Sequence, residues 1–101
     1  MKDDSFKDFV VDQLAGVSEL SYRAMFGGYG LYAGEKFFGI IHGGALYFKT
    51  NRATAADYLA AGMQPFRPNK DQTLQRYYEV PVDVLEDRQA LAEWAQRALA
   101  T

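Results

Sequence analysis

Few side chains in these 101 residues could do chemistry. His42 is the only histidine, and it closes an apolar run just ahead of Gly43. A general base needs an orienting partner and a pocket, and zinc needs several His or Cys ligands. With one histidine and no cysteine, the sequence implies a surface or strand-edge His42, no metal and no cofactor. The missing cysteines also remove disulfides and thiol nucleophiles, which fits a reducing, cytoplasmic setting. Ser5, Ser18 and Ser21 stand outside any G-x-S-x-G elbow. The acidic residues scatter at expected helix starts, where capping explains them. Gly28-Tyr29-Gly30-Leu31-Tyr32-Ala33 fits G-x-G-x-x-A, but a dinucleotide site needs a helix to begin on those glycines. A strand running into a hairpin is expected here instead, with the glycines serving backbone bends. No catalytic residues are therefore expected.

Binding is better supplied. Arg23, Lys49, Arg52, Arg67, Lys70 and Arg76 interleave with Tyr22, Tyr29, Tyr32, Tyr47, Tyr77 and Tyr78. Basic groups among aromatics on a sheet can hold single-stranded nucleic acid, and tyrosines on amphipathic strands also build protein interfaces. The net charge is −2, from 11 basic and 13 acidic residues, which does not favour nucleic acid. The charges are segregated, however. Residues 1–20 carry net −3, residues 21–76 net +4, and residues 77–101 net −3. Either the acidic ends fold against the basic middle, or all three are solvated, or the middle seeks an anion.

Position along the chain predicts the elements that must hold these groups. Residues Asp4 to Leu14 read as a helix with Phe6, Phe9, Val10 and Leu14 on one stripe, capped by Asp3, Asp4 or Ser5. Strands are expected at Leu20–Phe26, Tyr29–Ala33, Lys36–His42 and Ala45–Lys49, joined by hairpins at Gly34-Glu35 and Gly43-Gly44. A second helix runs from Thr50 to Ala61, capped by Thr50 or Asn51, with Tyr58 and Leu59 as its apolar contacts. Pro65 and Pro68 then hold an extended loop around Phe66. A strand over Gln75–Val80 follows, then a helical turn from Pro81 to Leu85. Asp87 caps a last helix with Leu91, Trp94, Ala95, Ala98 and Leu99 on one stripe. The order α-β-β-β-β-α-β-α makes an α+β domain, helices on a mostly antiparallel sheet of about five strands. No apolar run is long enough to span a membrane and no leader stands at the start.

The aromatic content is high, at 15%. Eight of these rings and seven of the nine glycines fall between Leu20 and Thr50. Strict alternation puts Phe38 and Ile40 on one face of the third strand, Phe37 and Ile41 on the other. Leu46 and Phe48 share one face of the fourth strand, Tyr47 and Lys49 the other. Both sheet faces are thus partly apolar. A helix, the Pro65–Pro68 loop or another chain should cover the second face.

The string Arg23-Ala24-Met25-Phe26-Gly27-Gly28-Tyr29-Gly30-Leu31-Tyr32 resembles the signature of the TfoX (Sxy) N-terminal domain family. The likeness continues through Phe38-Gly39-Ile40-Ile41, Leu46-Tyr47-Phe48-Lys49-Thr50, Ala61-Gly62-Met63-Gln64-Pro65-Phe66, Tyr77-Tyr78-Glu79-Val80-Pro81 and Val84-Leu85-Glu86-Asp87 to Trp94-Ala95. It implies one domain over residues 1–101, with a fold similar to that of secretion chaperones. It also implies a bacterial regulatory role tied to natural competence and transcription. Met25, Phe26, Gly27, Gly28, Gly30 and Pro81 stand in it as structural motif residues. Full-length regulators of this kind add a C-terminal helical domain, which the 101 residues do not include, so the chain resembles the stand-alone members.

The function expected is a non-enzymatic regulatory or protein-interaction module that binds a protein partner or a second copy of itself. Arg23, Tyr29, Tyr32, Lys49, Arg52 and Tyr77 are the expected binding residues. Weak nucleic-acid binding through residues 21–76 is one alternative, and a small-molecule site is another, which would need a cavity of roughly 300 Å³ or more.

Overall fold

The computed structural model describes residues 4–25 and 27–101. Phe26 and the Asp3 cap fall outside the described residues. The elements run α1 (Asp4–Gln13), β1 (Leu20–Met25), β2 (Gly28–Ala33), β3 (Lys36–His42), β4 (Ala45–Lys49), α2 (Arg52–Ala60), β5 (Pro65–Asn69), β6 (Gln72–Glu79), α3 (Val82–Leu85) and α4 (Arg88–Leu99). The fold is α+β, with one antiparallel sheet ordered β1-β2-β3-β4-β6-β5. It has six strands where about five were expected. The Pro65–Pro68 segment is not a loop but the edge strand β5. Proline lacks a ladder N–H, so it is confined to edges, and β5 pairs with β6 through two register slips.

Local chemistry sets the boundaries. Gly34, Gly43 and Gly44 turn the hairpins at φ of 63°, 59° and 76°, a region that favours glycine. Asn51 and Thr54 cap α2 reciprocally: the Asn51 side chain accepts from the Thr54 amide, and the Asn51 amide donates to the Thr54 hydroxyl, each at 2.9 Å. Asp87 accepts from the Ala90 amide at 3.0 Å and starts α4.

The helices cover one face. α4 lies on β3 and β4, and α2 lies against β6. Val10, Leu14, Leu31, Phe38, Ile41, Leu46, Phe48, Val80, Leu91 and Ala95 fill the core between them. Each large side chain removed from water there contributes about 1.5–3 kcal/mol. Tyr58 anchors α2, edge-on to Trp94 at 4.7 Å between ring centres. Two expected core contacts fail. Leu59 is 58% exposed, because it sits about 100° round the helix from Tyr58. Phe9 is 41% exposed and leans on Phe6, while Val10, Gln13 and Leu14 make the buried side of α1.

The strict alternation expected for β3 is also wrong. Tyr32 pairs with Phe37 and Leu31 with Gly39, so Phe38 is an extra residue, a β-bulge. Phe38 and Ile41 therefore both enter the helical core, and Ile40 lies buried outside it. In β4, Leu46 and Phe48 face the core as alternation predicts.

The glycine pattern of β2 has a steric cause. No helix starts on it. A Cβ on Gly28 would lie 2.0 Å from the Ile41 carbonyl oxygen. A Cβ on Gly30 would lie 2.7 Å from the Met25 sulfur and 2.8 Å from Phe37 Cε1. Gly27, by contrast, has open space around it and φ of 79°. Gly28→Ala is expected to lose about 2–3 kcal/mol, since backbone must shift to admit the methyl. Gly27→Ala should lose only about 1 kcal/mol, the left-handed backbone penalty. Urea unfolding of both variants checks this; equal losses would contradict the close approach of β2 and β3.

Candidate functional site

The helix-free face is laid out by register. Across the sheet, Arg23 pairs with Gly30, Gly30 with Ile40, Ile40 with Tyr47 and Tyr47 with Glu79. Facing residues in a ladder share a face, so this row marks the surface opposite the helices. Gly30 in the middle of the row leaves room for the Phe37 ring. Phe37 lies 5.2 Å from Tyr32 and 5.7 Å from Tyr77 between ring centres. The Arg23 guanidinium stands 5.2 Å from the centre of the Tyr32 ring, a cation–π contact. At the other end, Phe66 packs 4.5 Å from Tyr47 and 5.2 Å from His42. Phe66 and Ile40 are buried there, apart from the helical core.

The sequence-predicted residues fall into three places. Arg23, Tyr32 and Tyr77 come together on this face through Phe37. Lys49 pairs with Tyr77 across β4 and β6. Lys49 and Arg52 meet a third cation, Arg76, around a cavity of about 570 Å³ at the junction of β4 and α2. Tyr29 lies on the opposite face, partly buried against the helical core and edge-on to Tyr22 at 5.6 Å. Gly28 and Gly30 serve backbone approach, as described above. Pro81 is the N-cap of α3, with φ of −60°. Met25 covers Gly30, and Phe26 is outside the described residues.

Phe37 and Arg76 were not expected as site residues. Alternation already places Phe37 on the face away from Phe38, but its contacts with Tyr32 and Tyr77 follow only from the strand pairing. Arg76 reaches Lys49 and Arg52 only because β6, rather than β5, pairs with β4. A second hollow of about 410 Å³ lies beside β5 and β6, with His42, Pro68 and Leu74 among its walls.

The acidic ends do not close over the basic middle. Among the described residues the ion pairs are Lys7–Asp8, Arg88–Asp12 and Arg97–Asp57. Only the last joins an end to the middle. Arg88 ties α4 to α1 by holding the Asp12 carbonyl and carboxylate, each at 2.9 Å, while Lys36 of β3 donates to the Leu99 carbonyl of α4.

No helix among the described residues is long and apolar enough to cross a membrane. The sequence model described as the TfoX N-terminal domain matches residues 12–101. No curated protein matches the chain.

Burial raises the Tyr77 hydroxyl above its ordinary pKa of 10.0, against the opposite pull of Arg76 and with a small push from Tyr32. Burial and the Glu79 charge raise that of Tyr47. The folded chain thus holds these two protons longer than the unfolded chain. Their contribution is intact below about pH 10 and is lost as pH climbs past it. The urea midpoint should therefore fall more steeply above about pH 10 for the natural chain than for the Tyr47→Phe, Tyr77→Phe double variant. Parallel profiles would refute this account.

Proposed function

The chain belongs to the TfoX N-terminal domain family, and on that premise we propose that it is a non-enzymatic interaction module which docks a second copy of itself along β1. The regulatory setting is the one that family membership supports. The observation that carries the docking reading is the contrast between the two edges of the sheet.

β5 is a poor template for another strand. It has Pro65 and Pro68 among five residues and slips register twice. β1 is the reverse: six residues, no proline, in unbroken register with β2. Residues Ser21 to Ala24 are exposed. The Gly34 amide donates to the Glu19 carbonyl at 2.9 Å, which fixes the alternation of the ladder. Leu20, Tyr22 and Ala24 then turn their N–H and C=O groups away from β2, toward an added strand.

A second copy suits this edge chemically. With Tyr22 opposite Tyr22 of the second copy, each Arg23 faces Ser21 of the other chain. The Arg23 cations are kept apart, and the two exposed tyrosines meet, each with its own Lys7 4.5 Å from the ring centre. This symmetric pairing joins the two sheets into one and leaves the helical core unchanged.

Sedimentation of the full chain tests the reading. A dimer at roughly 100 µM is expected, an affinity range typical of modest interfaces. Ala24→Pro, which removes one outward N–H at an edge position that tolerates proline, should give a folded monomer with an unchanged far-UV spectrum. A natural chain that stays monomeric at that concentration, or an Ala24→Pro variant that still dimerises, would overturn it.

A further inference from the structure

We propose that the cavity at the β4–α2 junction binds a phosphate-bearing small molecule. Lys49 ends β4, Arg52 begins α2 and Arg76 lies in β6, and all three line the same cavity of about 570 Å³. Thr50, Asn51, Ala55, Gln75 and Thr101 complete its wall. No Asp or Glu among the described residues lines it. The other arginines of the helices answer a carboxylate, as Arg88 does Asp12 and Arg97 does Asp57. Lys49, Arg52 and Arg76 have no ion pair among the described residues.

The backbone under these cations is firmly held. Thr50 is buried, and both its amide and its hydroxyl donate to the Arg76 carbonyl, at 2.6 and 2.9 Å. The Asn51–Thr54 capping pair fixes where α2 begins. The backbone positions of Lys49, Arg52 and Arg76 around the cavity are therefore fixed, with Lys49 rooted on the ladder face of Tyr77 and Arg76 on the opposite one. A multiply charged oxyanion suits cations held this way: guanidinium groups grip such oxygens two at a time, and the lysine adds a point charge. α2 starts at Arg52, so the positive end of its dipole adds to the same field.

Charge and size select the ligand. The volume falls within the range of small-molecule pockets and exceeds what a lone inorganic phosphate fills. Nucleic acid fits less well. Its stacking partners would be Tyr32 and Tyr77, which do not line the cavity, and the chain as a whole is acidic. The assignment is independent of docking at β1, since no β1 residue lines the cavity.

The test is an amide-resolved NMR titration of the full chain with inorganic pyrophosphate, with ADP and with a 12-nucleotide single-stranded DNA. Saturable shifts confined to residues near 49–53 and 75–77 are expected for pyrophosphate. ADP binding more tightly than pyrophosphate would add a nucleoside to the ligand; equal binding would make the phosphates sufficient. Arg76→Gln and Arg52→Gln should each weaken pyrophosphate about tenfold, as loss of one charged contact does. Arg67→Gln, an exposed cation outside the cavity, should leave binding unchanged. Three outcomes overturn the proposal: no saturable shift with millimolar pyrophosphate, shifts spread over all basic residues and insensitive to Arg76→Gln, or binding of the DNA alone.

Discussion

The two faces of the sheet differ because β3 carries one residue more than β2 can pair. Phe38 has no partner between the Tyr32–Phe37 and Leu31–Gly39 pairs. Strand side chains alternate with period two, so one added residue exchanges the faces of everything beyond it. Ile41 is thereby delivered to the helices beside Phe38, and Phe38 meets Phe48 at 5.8 Å between ring centres. Without the bulge, Ile40 would enter the core and Ile41 would leave it. Gly39 takes the tight place next to the bulge: a Cβ there would lie 3.1 Å from the Tyr47 carbonyl oxygen.

What the bulge sends to the other side explains why that side needs no helix. Phe37, Tyr32 and Tyr77 lean on one another, and Phe66 lies over Tyr47 and beside His42. Rings with one polar edge suit a half-wet surface, because the apolar body is covered while the hydroxyl stays in reach of water. Ile40 and Phe66 end up buried beneath this layer. The cover expected from a helix or a loop is supplied by the sheet's own aromatic side chains and by the strand that carries Phe66. The two edges of the sheet differ in turn: β1 keeps its outward backbone groups, whereas Pro65 and Pro68 remove two N–H groups from β5.

Local structure was legible wherever one residue type decides it. The expected bounds of β3 and β4 match, because Gly34 marks the turn before β3 and the Gly43-Gly44 pair the turn between β3 and β4. The Asn51 and Asp87 caps fall where side-chain oxygens can reach first-turn amides. What was illegible depended on long-range pairing. Two prolines in five residues look like a loop until β6 is known to run alongside them. The bulge leaves no mark in the string Phe37-Phe38-Gly39-Ile40-Ile41, since every residue in it is apolar or glycine and either face would accept it. The site residues divide in the same way. Arg23 and Tyr32 sit on strands joined by a short turn, so their meeting could be read from the hairpin. Arg76 could not be joined to Lys49 and Arg52, because nothing local says that the chain leaves β4, passes through α2 and β5, and returns in β6.

That return also resolves the segregation of charge along the chain. The acidic ends form helices α1, α3 and α4 on one face, and two of their acids, Asp8 and Asp12, are met by cations on the helices themselves. The basic middle forms β1 to β5, α2 and most of β6, and among the described residues none of its cations is ion-paired with an acid of the ends. Their charge is sorted instead by the ladder. Arg23 rests on an aromatic ring, whereas Lys49 and Arg76 are drawn to the same end of adjacent strands, where Arg52 opens the next helix. Like charges gathered this way oppose folding through their repulsion. The opposing interactions are local and specific: two hydrogen bonds from Thr50 to one carbonyl, and a reciprocal cap at the start of α2. A fold that holds three cations together with fixed backbone, on a wall free of Asp and Glu side chains, has a preorganised positive field. Such a field gains most from an anion, because the reorganisation that binding would otherwise require is already built into the folded chain.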